Sequence, residues 1–157
     1  MSAQERSGWR DMRLSLRHRK WGFNCPSVDL DFLMVEYNKG VPVALVEYKH
    51  FRAAAPNLLH PSYQALLKLA DAANLPFLIA VYWPGAWAFR VSPVNAKARG
   101  VFAPDETLSE RAFVRRLYEI RRLAVEDATI AVLNDVTPDT VGFLGLVESQ
   151  GGASGPT

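Results

Sequence analysis

Residues 29–49, DLDFLMVEYNKGVPVALVEYK, constrain this chain more than any other segment. Two apolar runs flank a turn, and charged residues gather at the open end. Asn38-Lys39-Gly40 suits a three-residue hairpin loop, in which a type I turn is followed by a left-handed residue that glycine adopts without steric cost. Tyr37 then faces Val41, and paired positions sum to 78. On that register Glu47 lies across from Asp31 and Lys49 across from Asp29. Strand side chains alternate between faces, so all four charges share one face. A slip of one residue would separate Asp31 from Glu47. Leu33, Val35, Val43 and Leu45 share the charged face, while Leu30, Phe32, Met34, Ala44, Val46 and Tyr48 line the other. Apolar residues on both faces predict central sheet covered on two sides.

Charge in such a segment is costly unless it is paired or bound to a metal. Directly opposed residues have Cβ atoms about 4.5–5.5 Å apart. Two carboxylates that close repel, so a cation or a shared proton is expected between them. Mg²⁺, a hard cation with oxygen ligands, is the natural candidate, and Mn²⁺ its substitute. The alternative is a Lys49–Asp29 ion pair at a sheet end, with Glu47 solvated.

Asp31 followed by Glu47-Tyr48-Lys49 at the end of the next strand resembles the core motif of the PD-(D/E)XK nuclease superfamily. The resemblance covers roughly residues 5–92. It implies an α-β-β-β-α-β core, with a metal held by Asp31, Glu47 and the backbone carbonyl of Tyr48. Lys49 then orients or activates the attacking water. Leu30 rather than proline precedes Asp31, and the nearest proline is Pro26. Asp29 is either a second ligand or a partner that holds Lys49. The bare tripeptide is weak, since the composition gives about half an occurrence by chance. Its value lies in the apolar strand before it and the acids in register across from it.

The remaining composition fits a small α/β enzyme. A chain of 157 residues predicts one domain with a proper core. We expect a single domain over 1–148, with a mixed central β-sheet and helices on both faces. Residues 149–157, rich in Gly and Ser, read as a disordered tail. The single cysteine, Cys25, allows neither an internal disulfide nor a cysteine zinc cluster. No apolar run reaches transmembrane length and the start is not signal-like, so a cytoplasmic location without membrane contact is expected.

The net charge of +2 is unevenly spread. Residues 5–20 hold six basic residues against Glu5 and Asp11, a net +4, and the remainder sums to −2. Arg6, Arg10, Arg13 and Arg17 form one stripe of a helix, and Trp9, Met12 and Leu16 form another. The arginine stripe suits a nucleic-acid backbone, with a solvated basic face as the alternative. The family's first helix often adds an acid to the site, for which Glu5 and Asp11 are the candidates.

Pro61 opens a predicted helix to about Ala73, whose apolar side holds Tyr63, Leu66, Leu67 and Leu69-Ala70. Gln64 and Lys68 share a face of it. The resemblance implies that this helix borders the site, which makes them candidates for touching substrate, with ordinary exposed polar residues as the alternative. His50 reaches phosphate only if the strand ends at Lys49. Residues 76–83 predict a strand, Pro84-Gly85 a turn, and 87–91 a returning strand. Trp83 and Trp87 flank that turn and could stack on bases or pack at the rim. Residues 93–100 read as loop, and 107–123 as a basic amphipathic helical extension. Its Arg111, Arg115, Arg116, Arg121 and Arg122 widen a backbone-binding surface or are simply solvated.

The expected activity is metal-dependent hydrolysis of nucleic acid, with DNA favoured over RNA as partner. A homodimer or larger DNA-processing assembly is compatible with the small size. Two other classes compete: a non-cleaving nucleic-acid-binding module of the same fold, and a structural or assembly protein.

Overall fold

The computed structural model describes Arg17, Lys20, Trp21, Ser27, Val28 and residues 30–139. Glu5, Arg6, Arg10, Asp11, Arg13, Asp29, Cys25 and the tail lie outside the described residues. Five strands form one mixed sheet in the order β1-β2-β3-β4-β5. The strands are β1 (Phe32–Glu36), β2 (Val41–His50), β3 (Phe77–Trp83), β4 (Ala88–Pro93) and β5 (Glu106–Leu108). The helices are α1 (Pro61–Ala72), α2 (Ala96–Arg99), α3 (Glu110–Ile120) and α4 (Asp127–Ala131). Among the described residues only β2 and β3 pair in parallel, and α1 makes their crossover. Among the described residues two strands precede α1, and no helix is long and apolar enough to cross a membrane.

The β1–β2 hairpin departs from expectation at its turn but keeps the expected register from Phe32 to Met34. Tyr37–Lys39 form one turn of 3₁₀ helix, and Gly40 closes it at φ 61°. Glu36, not Tyr37, therefore ends the strand and pairs with Val41. The register then shifts between Met34 and Val35, leaving Val43 as the extra residue of a bulge. Pro42 sits at this irregularity, where its missing N–H is tolerated. Beyond the bulge Phe32 pairs with Val46, so the sum of 78 is restored. β2 is buried from Ala44 to Glu47. β1 is instead the outer strand, with Phe32 59% exposed, so the expected cover on both sides belongs to β2 and not to β1.

Helices cover both faces of the sheet. On one, Leu66 and Ala70 of α1 pack on Leu45 and Phe77. On the other, Phe113 of α3 packs with Val46, Leu78, Ala80, Phe89 and Val91. The sequence cues for α1 act as anticipated. Pro61 takes the first helical position, where no N–H is needed. The His60 ring caps the helix by accepting from the Ser62 N–H at 3.2 Å.

Two regions depart from expectation. Residues 93–100 contain α2, which exists because of Asn95. That side chain is 4% exposed and accepts from the N–H groups of Phe77 and Ala98, both at 3.0 Å. Its amide donates to Asp71 and to the Leu75 carbonyl. The helix expected from residue 107 begins at Glu110, after β5 and the Ser109 cap. Its arginines are largely committed within the chain. Arg111 donates to the Leu133 carbonyl at 2.9 Å. Arg116 binds Glu106 and the Val101 carbonyl, and Arg121 binds Glu36. A free surface formed by all five arginines is therefore excluded.

Candidate active site

The site is built on the C-terminal half of β2. Glu47 and Lys49 alternate onto the α1 face, beside Ile79 and Val81 of the parallel neighbour. Glu47 is 9% exposed, which requires a partner, and Lys49 supplies it. Lys49 Nζ lies 2.7 Å from Glu47 Oε1. The alternative in which Glu47 is solvated is thus excluded by its burial and pairing. Tyr63, in the first turn of α1, places its ring 5.9 Å from the same ammonium.

These contacts set the charge state of Lys49. Its pKa is raised above the ordinary lysine range, first by the hydrogen bond to Glu47 and less by Tyr63, against an opposing effect of burial. With Glu47 as its partner Lys49 is an ammonium donor at neutral pH.

Asp31 immediately precedes β1 and is exposed. Continuing the Phe32–Val46 register by one residue sets it across from Glu47. It has no hydrogen bond or ion pair among the described residues. No cluster of three or more His, Cys, Asp or Glu side chains able to hold a metal occurs among the described residues. The donor set is therefore two carboxylates, with the Tyr48 carbonyl beside them in sequence. That set fits Mg²⁺, which is usually bound through one or two carboxylates and keeps several waters. It falls short of a zinc site, which needs three or four protein ligands, commonly with His or Cys among them.

Other predicted residues fall elsewhere. β2 continues to His50, so His50 turns to the face opposite Lys49. Its ring lies 5.6 Å from Tyr82, and Nδ1 accepts from the Arg52 N–H. The Tyr48 side chain also points away from the carboxylates, into the rings of Phe32, Tyr82 and Phe113. Burial pushes its phenol up to about 12. Gln64 donates to the Leu58 carbonyl at 2.7 Å and so holds the loop before α1. Lys68 and Arg17 are exposed on helices.

Trp83 and Trp87 do not make one surface. Trp87 adopts φ 54° in the turn and stacks on Tyr82. With Phe32, Tyr48 and Phe89 these two line a cleft of about 410 Å³ on the α3 face. Trp83 lies on the α1 face with Arg90, and its ring stacks on Phe51 at the end of the sheet. Sequence reasoning missed Tyr63 as a neighbour of Lys49, having assigned it to the apolar side of the helix. It also missed Phe51, Arg52 and Arg90. The first two follow the charged tripeptide after His50, but the parallel strand pairing that places the third has no local signal.

The chain matches no family model, no curated protein and no solved structure.

Proposed function

We propose that this chain is a metal-dependent nuclease that hydrolyses phosphodiester bonds, with DNA favoured as substrate. The observation that carries the reading is the buried Glu47 held 2.7 Å from Lys49, on a strand whose neighbour brings Asp31 into register. A sheet end needs no such group, whereas phosphate chemistry uses each part of it. The likeness of Asp31 and Glu47-Tyr48-Lys49 to the PD-(D/E)XK motif supports the same assignment.

Asp31 and Glu47 would hold Mg²⁺, aided by the Tyr48 carbonyl. When bound, the ion supplies Lewis-acid offset of the charge that builds on the phosphate. Lys49 donates hydrogen bonds from a positively charged group, which are stronger than neutral ones. It can orient an attacking water or stabilise a non-bridging phosphate oxygen. Held against Glu47, Lys49 serves in positioning and charge stabilisation. Tyr63 restricts the ammonium from the helix side.

A panel of labelled single-stranded, duplex and branched DNA and RNA, incubated with Mg²⁺, Mn²⁺ or EDTA, tests the reading. Cleavage is expected with either metal and not with EDTA. Lys49→Ala should slow it by about 10²–10⁴-fold, the range for a positioned proton-handling or donor group. A folded Lys49→Ala protein that cleaves like wild type overturns the mechanism. Salt-sensitive binding without cleavage under any metal makes the chain a binding module. Neither binding nor cleavage makes it a structural protein.

A further inference from the structure

Beyond Lys49 the end of the sheet carries a second group of residues, in which the Phe51 ring also stacks on His50 at 4.7 Å. The Phe51 N–H donates to the Tyr82 carbonyl at 3.0 Å, extending the parallel ladder one step past His50. That step sets Phe51 beside Trp83. The two rings lie nearly parallel, at 16°, with centroids 5.8 Å apart. The Arg52 guanidinium lies 5.3 Å from the Phe51 ring, and that of Arg90 lies 5.5 Å from Trp83. Arg90 pairs with Val81, which pairs with Lys49, so the arginine lies two strands across from the lysine on one face. Adjacent strands are about 4.8 Å apart, which puts Arg90 roughly 10 Å from Lys49 along the sheet.

This arrangement does not behave like core. Phe51 is 39% exposed, and Arg52 and Arg90 are exposed. Neither guanidinium has a hydrogen bond or ion pair among the described residues. Both cations are instead held over aromatic rings, which positions them without neutralising them. Flat rings between two uncommitted guanidinium groups are what a nucleic-acid strand with unpaired bases recognises. Bases stack against the arginine-capped rings, where the guanidinium planes add cation–π contact, and phosphates take the charges. In a duplex the bases are stacked on each other, and their faces are closed to such a platform.

We propose that Phe51, Trp83, Arg52 and Arg90 form a stacking platform for single-stranded nucleic acid, next to Glu47 and Lys49. The platform deepens the nuclease reading, on which its role as a substrate subsite rests, by naming an unpaired strand as the substrate class.

The test is made on the full chain in EDTA, where cleavage plays no part. Binding of labelled single-stranded DNA, single-stranded RNA and duplex DNA of equal length is followed by fluorescence anisotropy. Wild type should prefer the single strands. Trp83→Ala should weaken single-strand binding by about 5–150-fold, as expected for one lost base–aromatic stack, and leave duplex binding unchanged. Trp83→Phe should restore most of the loss. Arg90→Gln, at an exposed position, should weaken single-strand binding and lower its salt dependence, and it serves if Trp83→Ala fails to fold. Equal affinity for single strand and duplex, or Trp83→Ala and Arg90→Gln proteins that bind single strands like wild type, overturns the platform. A protein that binds single strands through Trp83 but never cleaves them with Mg²⁺ or Mn²⁺ retains the platform and loses the nuclease reading.

Discussion

The two ends of the sheet treat charge differently. At the end where β2 and β3 begin, cations are answered by oxygen. Arg121 binds Glu36 at 2.5 Å, Lys97 donates to the Asn74 carbonyl at 2.9 Å, and Arg99 donates to the Val94 carbonyl at 3.1 Å. Asn95 fastens the start of β3 to α1 and α2 with four hydrogen bonds. At the end where β2 and β3 finish, Lys49 shares a buried carboxylate, while Arg52 and Arg90 rest on rings. The first end spends its polar groups on holding the fold. The second keeps positive charge in place but available. Counting arginines cannot separate these roles, because the partner decides whether a cation is free to meet a ligand.

The largest effect on stability should come from breaking the closed end. Asn95→Ala removes the cap of α2 and leaves the Phe77 N–H without its buried acceptor. Losing a cap costs about 1 kcal/mol, and an unsatisfied buried group about 1–3 kcal/mol. We expect a loss of about 2–4 kcal/mol in urea denaturation. A loss near zero would show that the two ends are equally loosely held, against the contrast drawn here.

The register of the hairpin beyond its bulge was legible in the sequence, and its turn was not. Phe32 meets Val46 as expected because two departures cancel. The turn takes Tyr37 as well as Asn38-Lys39-Gly40, which shifts the pairing by one, and the bulge at Val43 shifts it back. Apolar alternation and the charges at one end specify the register strongly, because a slip would expose a whole face. α1 was legible for local reasons: a proline at its start and apolar residues at helical spacing. α2 was not, because its four residues depend on a side chain that reaches β3 and α1. β5 was hidden because three residues offer too short an alternation beside the strong helical pattern of α3. The placement of Arg90 near Lys49 depends on β2 pairing in parallel with β3. That pairing is set by packing on α1 and has no signature in either strand.

Alkaline pH should probe the open end. Tyr48 has a phenol pushed up to about 12 by burial, whereas in the unfolded chain it titrates near its ordinary value of about 10. Between those values the unfolded chain releases a proton that the folded one keeps. Stability therefore falls as pH rises through this window, by at most about 3 kcal/mol for a two-unit difference. Lys49 acts in the same direction. Its pairing contributes fully below the unfolded lysine value and is lost as pH rises through its raised folded value. Urea midpoints measured up to about pH 12 should show a decline that is shallower in Tyr48→Phe. Parallel declines in the two proteins would mean that burial of Tyr48 does not control this limb.

The smallest expected effect sharpens the comparison most. Glu36 is held below its ordinary carboxylate range, first by the hydrogen bond from Arg121. Its contribution is present above the unfolded value and lost as pH falls through the lowered folded value. Arg121→Gln should therefore lower the urea midpoint by less than Asn95→Ala does. It should also remove part of the difference between neutral and acid pH. Affinity for nucleic acid should stay unchanged, because Arg121 already has its carboxylate. Arg90→Gln makes the same change of charge at a cation without an oxygen partner among the described residues. It should leave the midpoint nearly unchanged and weaken single-strand binding. If both substitutions weaken binding equally, net charge governs recognition. If only Arg90→Gln does, the partner each arginine has within the fold decides which one meets the ligand.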